Sequence, residues 1–358
     1  MRHLELFSGI GGFRRAMDLL TQDGVMNFQC VGYSEIDAKA IATYCANYHP
    51  KMDEVVMGDI VSFTSNVENI ENLPDFDLLT GGFPCQTFSM MGKQAGFEED
   101  RGQMFFHILK ILSVKKPKFV LLENVKNLKS HDKGKTFARI QNELESLGYN
   151  VFSDVFNTAK FNLPQTRNRV LIFATIDPVL SGLEKNFNCE NIANTFGHDY
   201  KKLSPFYYQT VNEILSVDVP QKYFLSEKIK PTLLADGSAN FKSRSDINMR
   251  IARPLTATMH KMHRACQDNY YSQDFIESQG EKNPVLTMTK EELAKLPIRK
   301  LTPEEAFQLQ GFPAIFAENG RKVGVADGSL YKQAGNAVSV NTVYAVLYYL
   351  IKNNYLHD

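Results

Sequence analysis

From residue 1 to about 178, short apolar runs alternate with stretches of helical period. The runs Leu4 to Phe7, Cys30 to Tyr33, Glu54 to Met57, Asp77 to Thr80, Phe119 to Leu122 and Val170 to Ala174 have the length of buried strands. Between two of them, Lys135 to Leu147 puts Phe137, Ile140, Leu144 and Leu147 on one helical face, and Gly148 stops it. Strand and helix alternating in this way predict an α/β fold, a doubly wound, mostly parallel sheet with ligands at the carboxyl ends of its strands. From about 180 to 298 the period dissolves into short pieces rich in Asn, Lys and Ser, which predicts a second, smaller, irregular domain. Order returns where Thr302, Pro303 and Glu305 supply an N-cap, a first-turn proline and a capping-box acid for a helix that Gly311 closes. The last segment sets Val340, Val343, Leu347 and Leu350 on one face, suited to packing back onto the first sheet. The expected division is therefore 1–179 with 329–358, and 180–328 with its hinge.

Composition narrows the classes. A chain of 358 residues, 43% apolar and 11% aromatic, supplies core for about two domains and excludes disordered and collagen-like types. Forty Lys and Arg offset forty Asp and Glu, so any nucleic-acid contact must come from a local patch. One candidate is Lys222 to Arg264, where nine basic residues face three acids; it reads as a phosphate footprint or as a solvated charged face. The longest apolar run, Tyr344 to Ile351, is eight residues, against about 18 for a membrane span, so a soluble cytoplasmic protein with no membrane partner is expected. Cys30, Cys45, Cys85, Cys189 and Cys266 show no disulfide or metal spacing, and no metal is expected. All but Cys85 read as buried filler.

The chemistry-bearing residues follow the strands. Phe7-Ser8-Gly9-Ile10-Gly11-Gly12 turns from strand to helix, where glycines let backbone amides approach a ligand. The next strand ends in Glu35, placed to accept ribose hydroxyls, and the third in Gly58-Asp59-Ile60, another polar group at the same edge. Together they suit a nucleoside-containing cofactor, although the GxGG spacing is not GxGxxG and plain loop geometry is the alternative. Phe83-Pro84-Cys85-Gln86 puts a thiol on a turn at the functional edge, a position for a nucleophile. Phe88 to Gly102 is rich in Gly and polar residues, as a loop closing over substrate would be. Glu123 after four apolar residues is a general acid or a paired structural carboxylate. Arg167 and Arg169 in Gln165-Thr166-Arg167-Asn168-Arg169 would point the same way if extended, as a clamp for an anionic or carbonyl oxygen or as a surface pair.

In this order the motifs resemble the cytosine carbon-5 DNA methyltransferases of bacterial restriction-modification type. Phe7 to Gly12, Phe83 to Gln86, Glu123-Asn124-Val125, Gln165 to Arg169, Arg299 to Pro313 and Gln333 to Val338 match six of that family's motifs and leave about 180 to 298 unmatched. The resemblance implies a Rossmann-like catalytic domain using S-adenosyl-L-methionine, which becomes S-adenosyl-L-homocysteine, and a target-recognition domain. It implies cofactor contacts from Phe7, Gly9, Gly11, Gly12, Glu35, Ile36, Asp59, Ile60, Pro84, Asn336 and Ala337. It makes Cys85 the nucleophile on carbon 6 of a flipped cytosine, Glu123 the acid at ring nitrogen 3, and Arg169, with Arg167, the holder of the base carbonyl. Gln86, Ser89, Met91, Lys93, Arg101, Arg253, Thr256 and Thr258 would meet double-stranded DNA, Met91 filling the gap left by the base. A monomer whose functional partner is a cognate restriction endonuclease follows. The rivals are a transfer-RNA cytosine methyltransferase, a non-catalytic DNA-binding regulator on the same fold and, least of all, a nicotinamide oxidoreductase.

Overall fold

The computed structural model describes residues 1–84, 104–178, 181–237, 243–262 and 265–357. They form two compact units, one of 1–157, 168–205 and 338–358, the other of 158–167 and 206–337.

In the first unit seven strands form one sheet: β1 (Arg2–Leu6), β2 (Gln29–Tyr33), β3 (Val55–Val56), β4 (Leu78–Gly82), β5 (Phe119–Val125), β6 (Asn150–Asn157) and β7 (Asn168–Thr175). Their order is β3-β2-β1-β4-β5-β7-β6. The first five are parallel, and β7 runs antiparallel between β5 and β6. Chain direction reverses its march between β1 and β4, the switch point where doubly wound sheets bind ligands. Alternate residues serve the two faces. Leu4, Leu6, Val31, Leu79, Val120, Leu122, Val170 and Ile172 join Ile108 and Leu112 of helix Met104–Lys115 and Ile140 and Leu144 of helix Lys135–Ser146 in one core. The opposite face carries an aromatic ladder in which Phe173 stacks on Phe119, Phe152 and Phe187. Helix Val340–Lys352 belongs to this unit, and Tyr344 on it anchors both Asp23, at 2.6 Å, and the ring of Phe196.

The second unit holds short helices, a two-stranded antiparallel pair of β8 (Tyr270–Ser272) and β9 (Ile298–Lys300), and its own core around Leu225, Leu233, Ile247, Tyr270 and Ile298. The capping box of helix Pro303–Gln308 forms as expected, Glu305 N–H donating to Thr302 Oγ1 at 3.2 Å and Thr302 N–H to Glu305 Oε2 at 2.7 Å.

Three expectations need correction. β6 reads as no strand because Asn150-Val-Phe-Ser-Asp-Val-Phe-Asn, an edge strand, lacks clean alternation. The compact units divide at 157/158, 167/168, 205/206 and 337/338 and not at 179/180 and 328/329. Helix Cys189–Asp199 buries Ile192 and Phe196 in the first unit, which moves that boundary to about 205. Cys30 and Cys189 are buried, but Cys45 and Cys266 are only half-buried.

Candidate active site

The turn after β1 is built by backbone conformation. Phe7, Gly9 and Gly11 all have positive φ, at 54°, 55° and 77°. A Cβ on Gly11 would lie 2.3 Å from the Tyr48 ring, whose hydroxyl donates to the Gly11 carbonyl at 2.5 Å. A Cβ on Gly12 would strike Val338 at 2.4 Å, so close helix packing excludes any side chain there. Phe7 N–H donates to Ser34 Oγ at 3.1 Å and Ser8 N–H to the Ser34 carbonyl at 2.9 Å, locking this turn to the end of β2.

Glu35 completes that lock. Its Oε2 accepts from Gly9 N–H at 2.8 Å, and its Oε1 accepts from Ile36 and Asp37 N–H, each at 2.8 Å. Three amides thus fix the carboxylate; they fill both lone pairs of Oε1 and leave Oε2 able to accept one further donor. Ile36 beside it is 72% exposed, an apolar surface at the edge of the sheet. After β3, Asp59 caps the turn Ile60–Phe63, accepting from Val61 N–H at 3.0 Å and Ser62 Oγ at 2.8 Å. Those hydrogen bonds hold its carboxyl below the usual range, so it is an anionic acceptor. Ile60 itself is buried in the sheet core and offers the edge only its backbone. Fixed acceptors on two successive strand ends, with open glycines between, fit the ribose and amine of an adenosine cofactor.

Beyond β4 the chain runs through Phe83 and Pro84. Asn124, 2% exposed, donates through Nδ2 to the Phe83 carbonyl at 2.8 Å, and its Oδ1 accepts from Val125 N–H at 2.8 Å. The Glu123-Asn124-Val125 motif gives Asn124 no role of its own; the structure shows it bracing the neighbouring strand end. Glu123 pairs with Gly82 across β4 and β5, and a Cβ on Gly82 would lie 3.5 Å from Glu123 Oε2. Arg169 Nε meets Glu123 Oε1 at 3.0 Å, with side chains 22% and 12% exposed. Since β5 and β7 align Glu123 with Leu171 and Val125 with Arg169, this is a diagonal cross-strand pair on one face. Cys85, Gln86, Ser89, Met91, Lys93 and Arg101, with the Phe88 to Gly102 loop, lie outside the described residues.

Arg167 departs from expectation. It does not stand beside Arg169 facing one ligand; it is 1% exposed in the second unit. Its Nη1 donates to the Leu255 carbonyl at 3.0 Å and its Nη2 to those of Gly335 and Ala337 at 3.2 and 2.9 Å. In the same unit Asn336, the last residue of helix Asp327–Asn336, is exposed, and Ala337 is buried. Thr256 and Thr258 are exposed, with hydroxyl oxygens 3.5 Å apart.

Within the basic stretch three of the seven described basic residues are paired with acids. Lys230 is buried and donates to Glu227 Oε1 at 2.6 Å and the Leu296 carbonyl at 2.7 Å, so it is no phosphate ligand. Lys222 pairs with Asp327 at 2.7 Å and Arg244 with Asp246 at 2.9 Å. Arg250 donates to the Gly280 carbonyl at 3.1 Å and Arg253 to that of Asp246 at 3.2 Å. Lys228 and Lys261 are exposed, and Lys242 and Arg264 lie outside the described residues. Among the described residues no cluster of His, Cys, Asp or Glu could hold a metal, and no helix is long and apolar enough to cross a membrane.

The C-5 cytosine-specific DNA methylase family matches residues 1–352. The chain is 36% identical over 347 residues to the Type II methyltransferase M1.ScrFI of Lactococcus lactis subsp. cremoris, spanning 96% of this chain and 76% of that protein. It is 33% identical over 347 residues to the Type II methyltransferase M.NlaX of Neisseria lactamica, spanning 96% and 94%. The solved structure of the S. pombe Dnmt2 methyltransferase shares the fold, with a TM-score of 0.73 at 20% identity over 99% of both chains.

Proposed function

Because this chain belongs to the C-5 cytosine-specific DNA methylase family and is a DNA methyltransferase, we propose that it methylates a flipped-out cytosine within a short double-stranded site through a covalent Cys85 adduct. The observation that carries this is the Glu123–Arg169 pair together with the Asn124-braced Phe83–Pro84 segment, which Cys85 follows in sequence. S-adenosyl-L-methionine, when bound, supplies an electrophilic methyl group for cytosine carbon 5. Phe7, Gly9, Gly11, Gly12, Glu35, Ile36, Asp59, Pro84 and Asn336 would hold it, with Glu35 on the ribose and Asp59 near the adenine amine.

Cytosine carbon 5 is a weak nucleophile. The Cys85 thiolate forms a bond to carbon 6 and pushes the ring electrons toward carbon 5 as an enamine. Glu123, held by Arg169, places its proton at ring nitrogen 3, where charge develops. Arg169 also holds the base carbonyl oxygen. After methylation the carbon-5 proton passes to water, ring nitrogen 3 returns its proton to Glu123, and Cys85 sulfur leaves carbon 6 with its bonding pair as the ring double bond re-forms. On this reading the protein works as a cytoplasmic monomer and shields DNA from a cognate restriction endonuclease, the last of these supported by the Type II names of its relatives.

Incubation with labelled S-adenosyl-L-methionine and either random-sequence duplex DNA or transfer RNA, followed by base-resolution mapping, tests the substrate. Label at carbon 5 of cytosine in duplex DNA is expected; label confined to transfer RNA rejects the reading. Cys85→Ala abolishes transfer while cofactor binding persists, and duplex DNA bearing 5-fluorocytosine traps the parent protein. Substantial turnover by Cys85→Ala, or no trapped adduct, rejects the covalent route.

A further inference from the structure

The second unit contains a buried polar joint that the chemistry above does not use. Arg167 grips the carbonyl before Thr256, that of Leu255, and the carbonyls on both sides of Asn336, those of Gly335 and Ala337. Gln165 reinforces one side, its Oε1 accepting from Leu255 N–H at 2.9 Å while its Nε2 donates to the Leu309 carbonyl at 2.8 Å. Gln310 reinforces the other, its Nε2 donating to the Ala334 carbonyl at 2.7 Å and that of Ala337 at 3.2 Å. Gln165 Nε2 meets Gln310 Oε1 at 3.2 Å, which closes the network. The two segments also touch directly: a Cβ on Gly335 would lie 2.3 Å from the Thr256 carbonyl oxygen and 2.4 Å from the Ala257 nitrogen.

We propose that Arg167 is a positioning residue that couples cofactor binding to DNA binding by joining the Thr256 turn to the Asn336 turn. The inference rests on the reading that gives Asn336 to the cofactor and Thr256 to the target strand. A guanidinium is a planar fork with fixed donor directions, so it matches three converging carbonyls in one arrangement only. If either turn shifts, a buried charged donor loses its acceptor, an expensive state in a low-dielectric interior. The two turns therefore move as one body. A ligand that orders one turn has already ordered the other, so the second ligand binds with less left to pay, without any contact between ligands. Linkage then requires the same coupling factor in both directions.

The probes are S-adenosyl-L-homocysteine and a duplex oligonucleotide carrying the mapped site. Dissociation constants are measured for each probe alone and with the other saturating. In the parent each ligand tightens the other about tenfold, within the usual range for coupled sites. Arg167→Lys keeps the charge but loses the fork, and Gly335→Ala forces the two turns apart with Arg167 intact. In each variant the coupling is expected to fall below about twofold. A purely structural role for Arg167 would weaken both ligands separately and keep their ratio, and that result overturns the proposal. Absence of coupling in a parent that does methylate DNA overturns it too, whereas a parent that methylates no DNA refutes the assigned function itself. If Arg167→Lys does not fold, Gly335→Ala carries the decision alone.

Discussion

Replacing Glu35 with glutamine is the most incisive test of the cofactor site, because the structure dictates what an amide cannot do there. The carboxylate spends Oε2 on Gly9 N–H and Oε1 on Ile36 and Asp37 N–H. Glutamine has one acceptor oxygen, and its NH₂ must face a donor on one side. The better orientation keeps Ile36 and Asp37 on the oxygen and turns the NH₂ toward Gly9 N–H. One hydrogen bond to a charged acceptor is then lost, about 1.5–3 kcal/mol. At about 1.4 kcal/mol per factor of ten this is roughly 10- to 150-fold. The loss falls on the turn proposed to hold the cofactor, so on that reading it belongs in the S-adenosyl-L-homocysteine dissociation constant. The proposed ribose contact is the same in ground and transition states, so kcat at saturating cofactor stays within about threefold. Calorimetric titration with S-adenosyl-L-homocysteine and single-turnover kinetics separate the two. If Glu35→Gln binds within threefold of the parent, the three-amide lock does not organise the site and the reasoning fails.

Other predictions follow from the same geometry. Glu123→Gln keeps its shape beside Arg169 but loses its proton, and kcat should fall about 100- to 10,000-fold with cofactor affinity unchanged; a fall below threefold leaves Glu123 a structural partner only. Burial holds the Glu5 carboxyl up to about 8, against 4.5 unperturbed, so its stabilising contribution is complete below pH 4.5 and is lost as pH rises through 8. Glu5→Gln, neutral throughout, should therefore gain stability over the parent between pH 5 and 9 in urea melts, and a difference independent of pH contradicts this. Lys228→Ala and Lys261→Ala should each reduce the slope of log affinity for DNA against log salt by about 0.9. Lys230→Ala should leave that slope alone and lower the urea midpoint; parental slopes in the first two remove that stretch from the DNA interface.

Much of the sheet was legible because parallel strands buried on both faces read as continuous apolar runs. β1, β2, β4 and β5 announce themselves so, the short edge strand β3 and the antiparallel β7 show as similar runs, and the acids and glycines that follow the parallel strands fall at the carboxyl edge by topology alone. β6 escapes because an edge strand tolerates Asn150, Ser153 and Asp154, the last accepting from Cys189 N–H at 2.7 Å. The basic stretch misleads for a different reason. Counting charges records Lys230 and Arg244 as alike, yet one is 1% exposed with Glu227 as partner and the other is an 81% exposed side chain paired with Asp246. Partners distant in sequence, such as Asp327 for Lys222, cannot be counted within a window.

The two arginines of Gln165 to Arg169 show how local geometry overrides a spacing rule. Residues two apart share a face only while the chain is extended. Here Gln165 N–H bonds to the Leu163 carbonyl at 2.8 Å and Arg167 N–H to that of Gln165 at 2.9 Å, a run of tight three-residue turns that ends where β7 begins at Asn168. Arg169 stands inside the strand and inherits its face, so it meets Glu123. Arg167 stands before the strand and turns to the carbonyls of Leu255, Gly335 and Ala337. One short motif thereby faces two ways: its second arginine pairs with Glu123, and its first with the carbonyls beside Thr256 and Asn336. A lysine is a poor substitute at either place, but for separate reasons. At 169 it loses a directional bond to a carboxylate, and at 167 it loses the fork that joins two turns.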